Sequence, residues 1–308
     1  TGLDVSVVGV GTWQFGGEWG RDYSQDDAHA IFDAARDAGI NLVDTAECYG
    51  DHLSEKLVGA AVERDRDKWV LATKFGHHFH ERFERTTEYD PDDVVEQLDR
   101  SLKALRTDYI DLYQFHSGSD AQFDTDGLWD ALGRQVEAGK IRHLGVSIGS
   151  NTNTYQTGRA ADVGAGAIQV VYNRLDRAPE ETVFPICAER NLGVLARVPL
   201  ASGYLSGKYT EGAEFPDTDV RKRWHSDERR ESSIREAMQI QREEVPEGVP
   251  MARWALAWCL SHDAVTCVIP GCKTPEQVRE NAAAAELDLA RPGHPQRAEA
   301  PAALPAGA

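Results

Sequence analysis

The chain has 308 residues, 41% of them hydrophobic, and carries 51 acidic against 33 basic side chains for a formal net charge of −18. That balance excludes a protein that neutralises nucleic-acid phosphates over a basic face, and no run of 18 apolar residues offers a membrane span. Five scattered cysteines without zinc-ligand spacing fit reduced thiols in a cytoplasmic protein. The acid excess is the pattern of surfaces adapted to concentrated salt, where like-charge repulsion is screened, and equally that of an acidic protein from a GC-rich genome. The opening T-G-L-D-V-S-V-V-G-V-G-T-W lacks a basic region ahead of a long apolar one, so no secretion signal is expected.

Strand-like runs and helical patterns alternate from end to end. The strands are expected at Val7 to Gly11, Asn41 to Asp44, Trp69 to Thr73, Ile110 to Phe115, His143 to Ser147, Ala167 to Tyr172, Gly193 to Val198 and Thr266 to Ile269. Helices are expected between them, near 25–38, 53–63, 91–105, 127–138, 152–161, 180–190, 230–243 with 250–261, and 275–285. Asp90-Pro91 supplies an N-cap followed by proline at the first helical position, and Gly39 and Gly139 stand at helix C-caps. Eight βα units in a chain of this length predict a single-domain α/β protein, a (β/α)₈ TIM barrel over residues 1–290. Val8-Gly9-Val10-Gly11 and Gly16-Gly17 lack the spacing of a dinucleotide fingerprint that opens a helix. Residues 204–227 form the longest irregular stretch, and residues 291–308, rich in Pro and Ala, read as a disordered tail.

In such a barrel the chemistry gathers at the C-terminal ends of the strands. Asp44, Lys74 and His116 end strands two, three and four, and Tyr49 follows Asp44 by five residues on the loop. A phenol is a poor acid at neutral pH unless an ammonium lowers its pKa, and a carboxylate can hold that ammonium in place. Tyr49 is therefore the expected general acid and base, with Lys74 lowering its pKa, Asp44 positioning Lys74, and His116 bonding the substrate oxygen. His77, His78 and His80 cluster just past Lys74 and invite a metal reading, but loop histidines are commonly solvated and no metal is expected.

D-T-A-E-C-Y-G followed by S-E-K-L-V-G, with D-Y-I-D-L-Y-Q-F-H downstream, resembles the signature of the aldo-keto reductases, and the later motifs extend the likeness over nearly the whole chain. The resemblance implies a nicotinamide cofactor delivering a hydride to a small aldehyde, ketone or sugar. It implies that Ser147 and Gln169 meet the carboxamide, although Ile148 replaces an Asn common in the family. Arg197 stands where a Tyr or Trp often stacks on the nicotinamide; a guanidinium can stack similarly, or serve a surface ion pair. Pro199, Leu200, Ser202, Gly203, Leu205 and Lys208 resemble the loop that crosses the pyrophosphate. Gly271, Lys273, Gln277, Glu280 and Asn281, within I-P-G-C-K-T-P-E-Q-V-R-E-N, resemble the adenosine site. Gly271 and Gln277 replace basic residues of the fuller motif, so Lys273 alone points to NADP over NAD. Thr12 is expected near the cofactor, and Trp13 near both cofactor and substrate. Trp19, Phe79 and Trp224 are further candidate walls, and Arg221, Lys222 and Arg223 a solvated loop face. The same C-terminal motif is similar to that of channel β subunits of the superfamily, which makes a nucleotide-binding regulatory subunit with a protein partner the alternative. A metal-dependent hydrolase built on the His77 cluster comes third. Oligomeric state is not legible.

Overall fold

The computed structural model describes residues 1–289, so residue 290 and the expected tail 291–308 lie outside the described residues. Ten strands are formed: β1 (Val10–Gly11), β2 (Leu42–Asp44), β3 (Val70–Phe75), β4 (His77–Glu81), β5 (Glu84–Thr87), β6 (Ile110–His116), β7 (Ile141–Ser147), β8 (Ala165–Val171), β9 (Gly193–Arg197) and β10 (Cys267–Ile269). Eight of them make one parallel sheet in the order β1-β2-β3-β6-β7-β8-β9-β10, with helices in the crossovers. Gly9 and Gly11 donate their N–H groups to Val268 and Pro270 at 2.8 and 2.9 Å, and Val268 donates to Val7, so the two edges meet. The sheet is the expected (β/α)₈ barrel, which leaves no unpaired edge.

Strand alternation builds the interior in layers. Leu42, Ala72, Leu112, Ala167 and Leu195 pack with Cys267 and Ile269 as an apolar plug. Two residues further along the same strands stand Asp44, Lys74, Gln114, Gln169 and Arg197. The polar layer therefore sits directly on the apolar one, at the C-terminal rim.

Most expected helices form within a few residues of their expected limits. Gln25–Asp37 starts at a capping box between Ser24 and Asp27, and Pro91–Leu105 starts with the Asp90 carboxylate on the Asp92 and Asp93 N–H groups. The structure corrects the sequence reading in two places. β1 is shorter than expected, with Val8 joined only by an isolated bridge to Val268. His77–Thr87, read as loop, is an antiparallel hairpin, β4 on β5, separate from the barrel sheet. Within the long stretch 204–227 a short helix, Val220–Trp224, caps on Asp219. Among the described residues no helix is long and apolar enough to cross a membrane.

Candidate active site

Register places the candidate residues side by side. Gly11 pairs with Asp44, Lys74 with Gln114, His116 with Ser147, Ser147 with Gln169, and Arg197 with Ile269. Lys74 is fully buried, an expensive place for an ammonium unless it is paired. Its Nζ donates to Asp44 Oδ1 at 2.7 Å and to the Thr45 carbonyl at 2.6 Å. The other Asp44 oxygen accepts from Gln169 Nε2 at 2.6 Å and from Gln114 Nε2 at 3.2 Å. One carboxylate thus ties four strands together at the rim.

Tyr49 lies over this pair, its ring centroid 5.2 Å from Lys74 Nζ. The loop that carries it rests on Gly16, where a Cβ would fall 2.8 Å from the Tyr49 backbone carbon. The His116 ring stands edge-on to Tyr49, centroids 6.3 Å apart. Burial pushes the Tyr49 phenol well above its usual range, the Asp44 charge adds to this, and the cation that opposes it is Arg197. The expected lowering by Lys74 does not dominate, because Asp44 at 2.7 Å compensates the ammonium. His116 is held well below the usual imidazole range, first by burial and then by Lys74, Arg197 and Arg85. At neutral pH the site therefore holds a protonated phenol beside a neutral imidazole.

Asp44, Tyr49 and His116 open onto a cavity of about 590 Å³, with Lys74 buried behind them, a volume suited to a small-molecule or cofactor site. Its walls include Thr12, Trp13, Trp19, Gln169, Arg197, Pro199, Leu200, Ser202, Gly203, Lys208, Gly271, Lys273, Gln277, Glu280 and Asn281. Three of the expected residues stand off the cavity wall. Ser147 is buried off the cavity wall, its Oγ 3.4 Å from Gln169 Oε1. Leu205 is fully buried in the core rather than lining the loop. Phe79 stays on the hairpin strand, and Phe83, at the hairpin turn, lines the cavity instead.

Arg197 makes no ion pair among the described residues; Nη2 donates to the Ile148 carbonyl at 3.1 Å, and Nε is buried without a partner. Lys273 is half-buried, with Nζ on the Trp19 carbonyl at 3.1 Å, and burial together with Arg221 lowers its pKa to about 8. Arg221 is not a solvated loop residue: it is buried on the cavity wall, with Nε and Nη2 on the Asp219 carboxylate at 2.9 and 2.6 Å. Lys222, Arg223 and Trp224 are exposed, and the Trp224 ring still lies 5.7 Å from Trp13.

Sequence reading missed the group that joins the first loop to the hairpin beside the cavity. Glu18 is fully buried and accepts from Trp13 Nε1 at 2.6 Å, from the Phe83 N–H at 3.2 Å and from the Arg85 guanidinium. It joins the first loop to the hairpin, and nothing local in G-G-E-W-G announces that partnership. The expected histidine cluster disperses: His78 meets Asp93 at 2.7 Å, His80 meets Thr86 at 2.9 Å, and His77 turns inward to the His116 carbonyl.

A family model described as "Aldo/keto reductase family" matches residues 7–292. The aldo-keto reductase YhdN of Bacillus subtilis is 36% identical over 226 residues, 72% of this chain and 66% of the relative. The NADH-specific methylglyoxal reductase of Escherichia coli is 30% identical over 94% of this chain and 92% of its own length. Among solved structures, the glycerol dehydrogenase AKR11B4 of Gluconobacter oxydans superposes with a TM-score of 0.78 at 30% identity, covering 92% of this chain and 87% of that one.

Proposed function

The chain belongs to the aldo/keto reductase family, and from that premise we propose that it interconverts a small carbonyl compound and its alcohol with NADP(H), Tyr49 moving the proton. The observation that carries the reading is the buried Lys74–Asp44 pair beneath Tyr49, with a neutral His116 across from it at the cavity floor. The donor set fits a dinucleotide. Lys208, Lys273 and Arg221 are cationic groups along one wall, and Arg197 offers a buried guanidinium with an unpartnered Nε. Arg197 would face the nicotinamide, Pro199 to Gly203 with Lys208 the pyrophosphate, and Lys273, Gln277, Glu280 and Asn281 the adenosine. When bound, the cofactor supplies or takes up the hydride.

In reduction the Tyr49 O–H gives its proton to the carbonyl oxygen as that oxygen gains charge; in oxidation the phenolate takes it back. The Lys74 ammonium, pinned on two sides, faces the phenolate when the proton has left. The neutral His116 offers an N–H to the same oxygen without adding a charge. Trp13, Trp19, Phe83 and Trp224 give the carbonyl compound an aromatic surround, which suits a small aldehyde, ketone or sugar. All five cysteines are buried and unbonded, which supports placing the enzyme in the reducing cytoplasm.

Fluorescence quenching with NADPH and with NADH, followed by turnover on an aldehyde and sugar panel, tests the reading. NADPH is expected to bind more tightly, and Tyr49→Phe is expected to lower kcat by about 10²-fold or more with cofactor affinity unchanged. Preference for NADH, as the name of the Escherichia coli relative describes for that enzyme, would overturn the role of Lys273 and leave the proton chemistry standing. Absence of quenching by either cofactor would overturn the redox reading itself.

A further inference from the structure

Cys48, His77 and His116 come from the loop after β2, the first residue of β4 and the last of β6, and meet beneath the hairpin. One donor atom from each lies within 4.8 Å of the other two. Cys48 Sγ is 3.8 Å from His116 Nδ1, and the two imidazoles stack at 4.4 Å. The His77 tautomer follows from its neighbour. Nε2 is 2.7 Å from the His116 carbonyl oxygen, which can only accept, so Nε2 carries the proton. Nδ1 is left as a bare lone pair, buried and without a partner among the described residues. An imidazole that gives one N–H to a backbone carbonyl and keeps the other nitrogen free is arranged like a metal ligand. Glu47 brings negative charge to the same place. Its Oε1 accepts from the His77 backbone N–H at 3.0 Å and lies 3.7 Å from His116 Nδ1, while Oε2 is buried and unpartnered among the described residues. The proton chemistry proposed above uses neither Cys48 nor the free His77 nitrogen.

We propose that Cys48, His77 and His116 form an inhibitory Zn²⁺ site, in which coordination draws His116 away from the substrate carbonyl. One thiolate and two neutral imidazoles suit zinc, with the fourth position left to water or to Glu47. Bonds of about 2.3 Å to sulfur and 2.1 Å to nitrogen put tetrahedral donors about 3.3–3.6 Å apart, so the cluster has to contract by only about 1 Å at its widest. On binding, the Cys48 S–H bond breaks, its proton leaves to solvent, and the sulfur lone pair forms the bond to zinc with no change of oxidation state. Burial and Glu47 keep Cys48 a thiol until the metal arrives, Arg85 Nη1, 3.5 Å from Sγ, works against them, and the thiolate formed on binding balances the two metal charges together with Glu47.

The inhibitory half rests on His116 serving the reaction proposed above; the binding half does not. The test titrates the whole chain with Co²⁺, whose bond to a thiolate gives a charge-transfer absorption, and then displaces it with Zn²⁺. One equivalent is expected to bind with that absorption. Cys48→Ser and Cys48→Ala should abolish it, and His77→Gln should weaken binding at least about tenfold, with folding checked by circular dichroism. Zinc should slow turnover of the wild type but not of Cys48→Ser. No thiolate absorption in the wild type, or its persistence in both Cys48 variants, would overturn the site. Stoichiometric binding without slowed turnover would overturn inhibition alone. A protein inactive on every carbonyl compound would sink the preceding reading, while the cobalt absorption still decides this one.

Discussion

Asp44→Asn tests the rim most sharply, because the two asparagine side-chain ends cannot both replace carboxylate oxygens. Oδ1 faces the Lys74 ammonium at 2.7 Å, and Oδ2 faces the amide donors of Gln169 and Gln114 at 2.6 and 3.2 Å. Whichever way the new amide turns, its NH₂ confronts a donor. Rotating the Gln169 amide to accept would give up its Nε2 bond to Gln114 Oε1 at 3.1 Å and leave Gln114 Nε2 still facing the new amide. Lys74 is then left buried with the Thr45 carbonyl and no counter-ion. Removing one partner of a buried pair costs about 3–5 kcal/mol, and at about 2–3 °C per kcal/mol for a chain of this size the melting point should fall by roughly 6–15 °C. Urea melts of Asp44→Asn, Lys74→Met and the double variant close a cycle. The double variant is expected to be more stable than the sum of the singles, since it leaves no lone buried charge. A single-variant cost below about 1 kcal/mol with no coupling would refute the account of the rim.

Gly16→Ala should lower kcat by about 10²-fold through displacement of Tyr49 by an ångström or so, with a stability cost of about 1–3 kcal/mol; unchanged turnover would show that the loop yields freely. Burial lowers His77 and His225 to about 4, so the folded state holds fewer protons on them than the unfolded state between about pH 6.5 and 4. Stability is therefore expected to fall as pH drops through that window, by about 2 kcal/mol at pH 5 for His77 and by less for the more exposed His225; urea midpoints that do not decline between pH 7 and 5 would contradict it. With a net charge of −18, moving from low salt to molar KCl should raise the melting temperature by screening self-repulsion. A melting temperature that falls instead would remove the salt-adaptation reading.

Much of this was legible because it is periodic. Alternating apolar runs and helical patterns located the barrel strands, and Asp44, Lys74 and His116 stand at or next to the ends of those runs. What escaped depends on contacts between distant segments. The hairpin lacked a turn signal: Arg82-Phe83 holds no Gly or Asn, yet Phe83 adopts φ 73°. Its alternation is hidden in histidines, so the sequence offers Phe79 as a candidate wall, whereas Phe83 lines the cavity. Ser147 and Leu205 matched a motif; Ser147 Oγ stands beside Gln169, one layer behind the cavity wall, and Leu205 turns into the core. The roles of Glu18 and of the Cys48–His77–His116 cluster exist only after folding, since their partners lie tens of residues away.

The hairpin pairs with itself and not with the barrel sheet. It carries Phe83 and Arg85 to the cavity, while the short helix at 220–224 brings Trp224 to meet Phe83, ring centroids 6.2 Å apart. Both excursions leave the barrel and return without contributing a rung to its ladder. The cavity is thus built from two kinds of part: a closed cylinder whose strands share one hydrogen-bonded register, and added panels that stand outside it. A designer seeking a different aromatic wall can vary the turn at Phe83 and keep His77 and Arg85, the two hairpin residues that bond or bias His116.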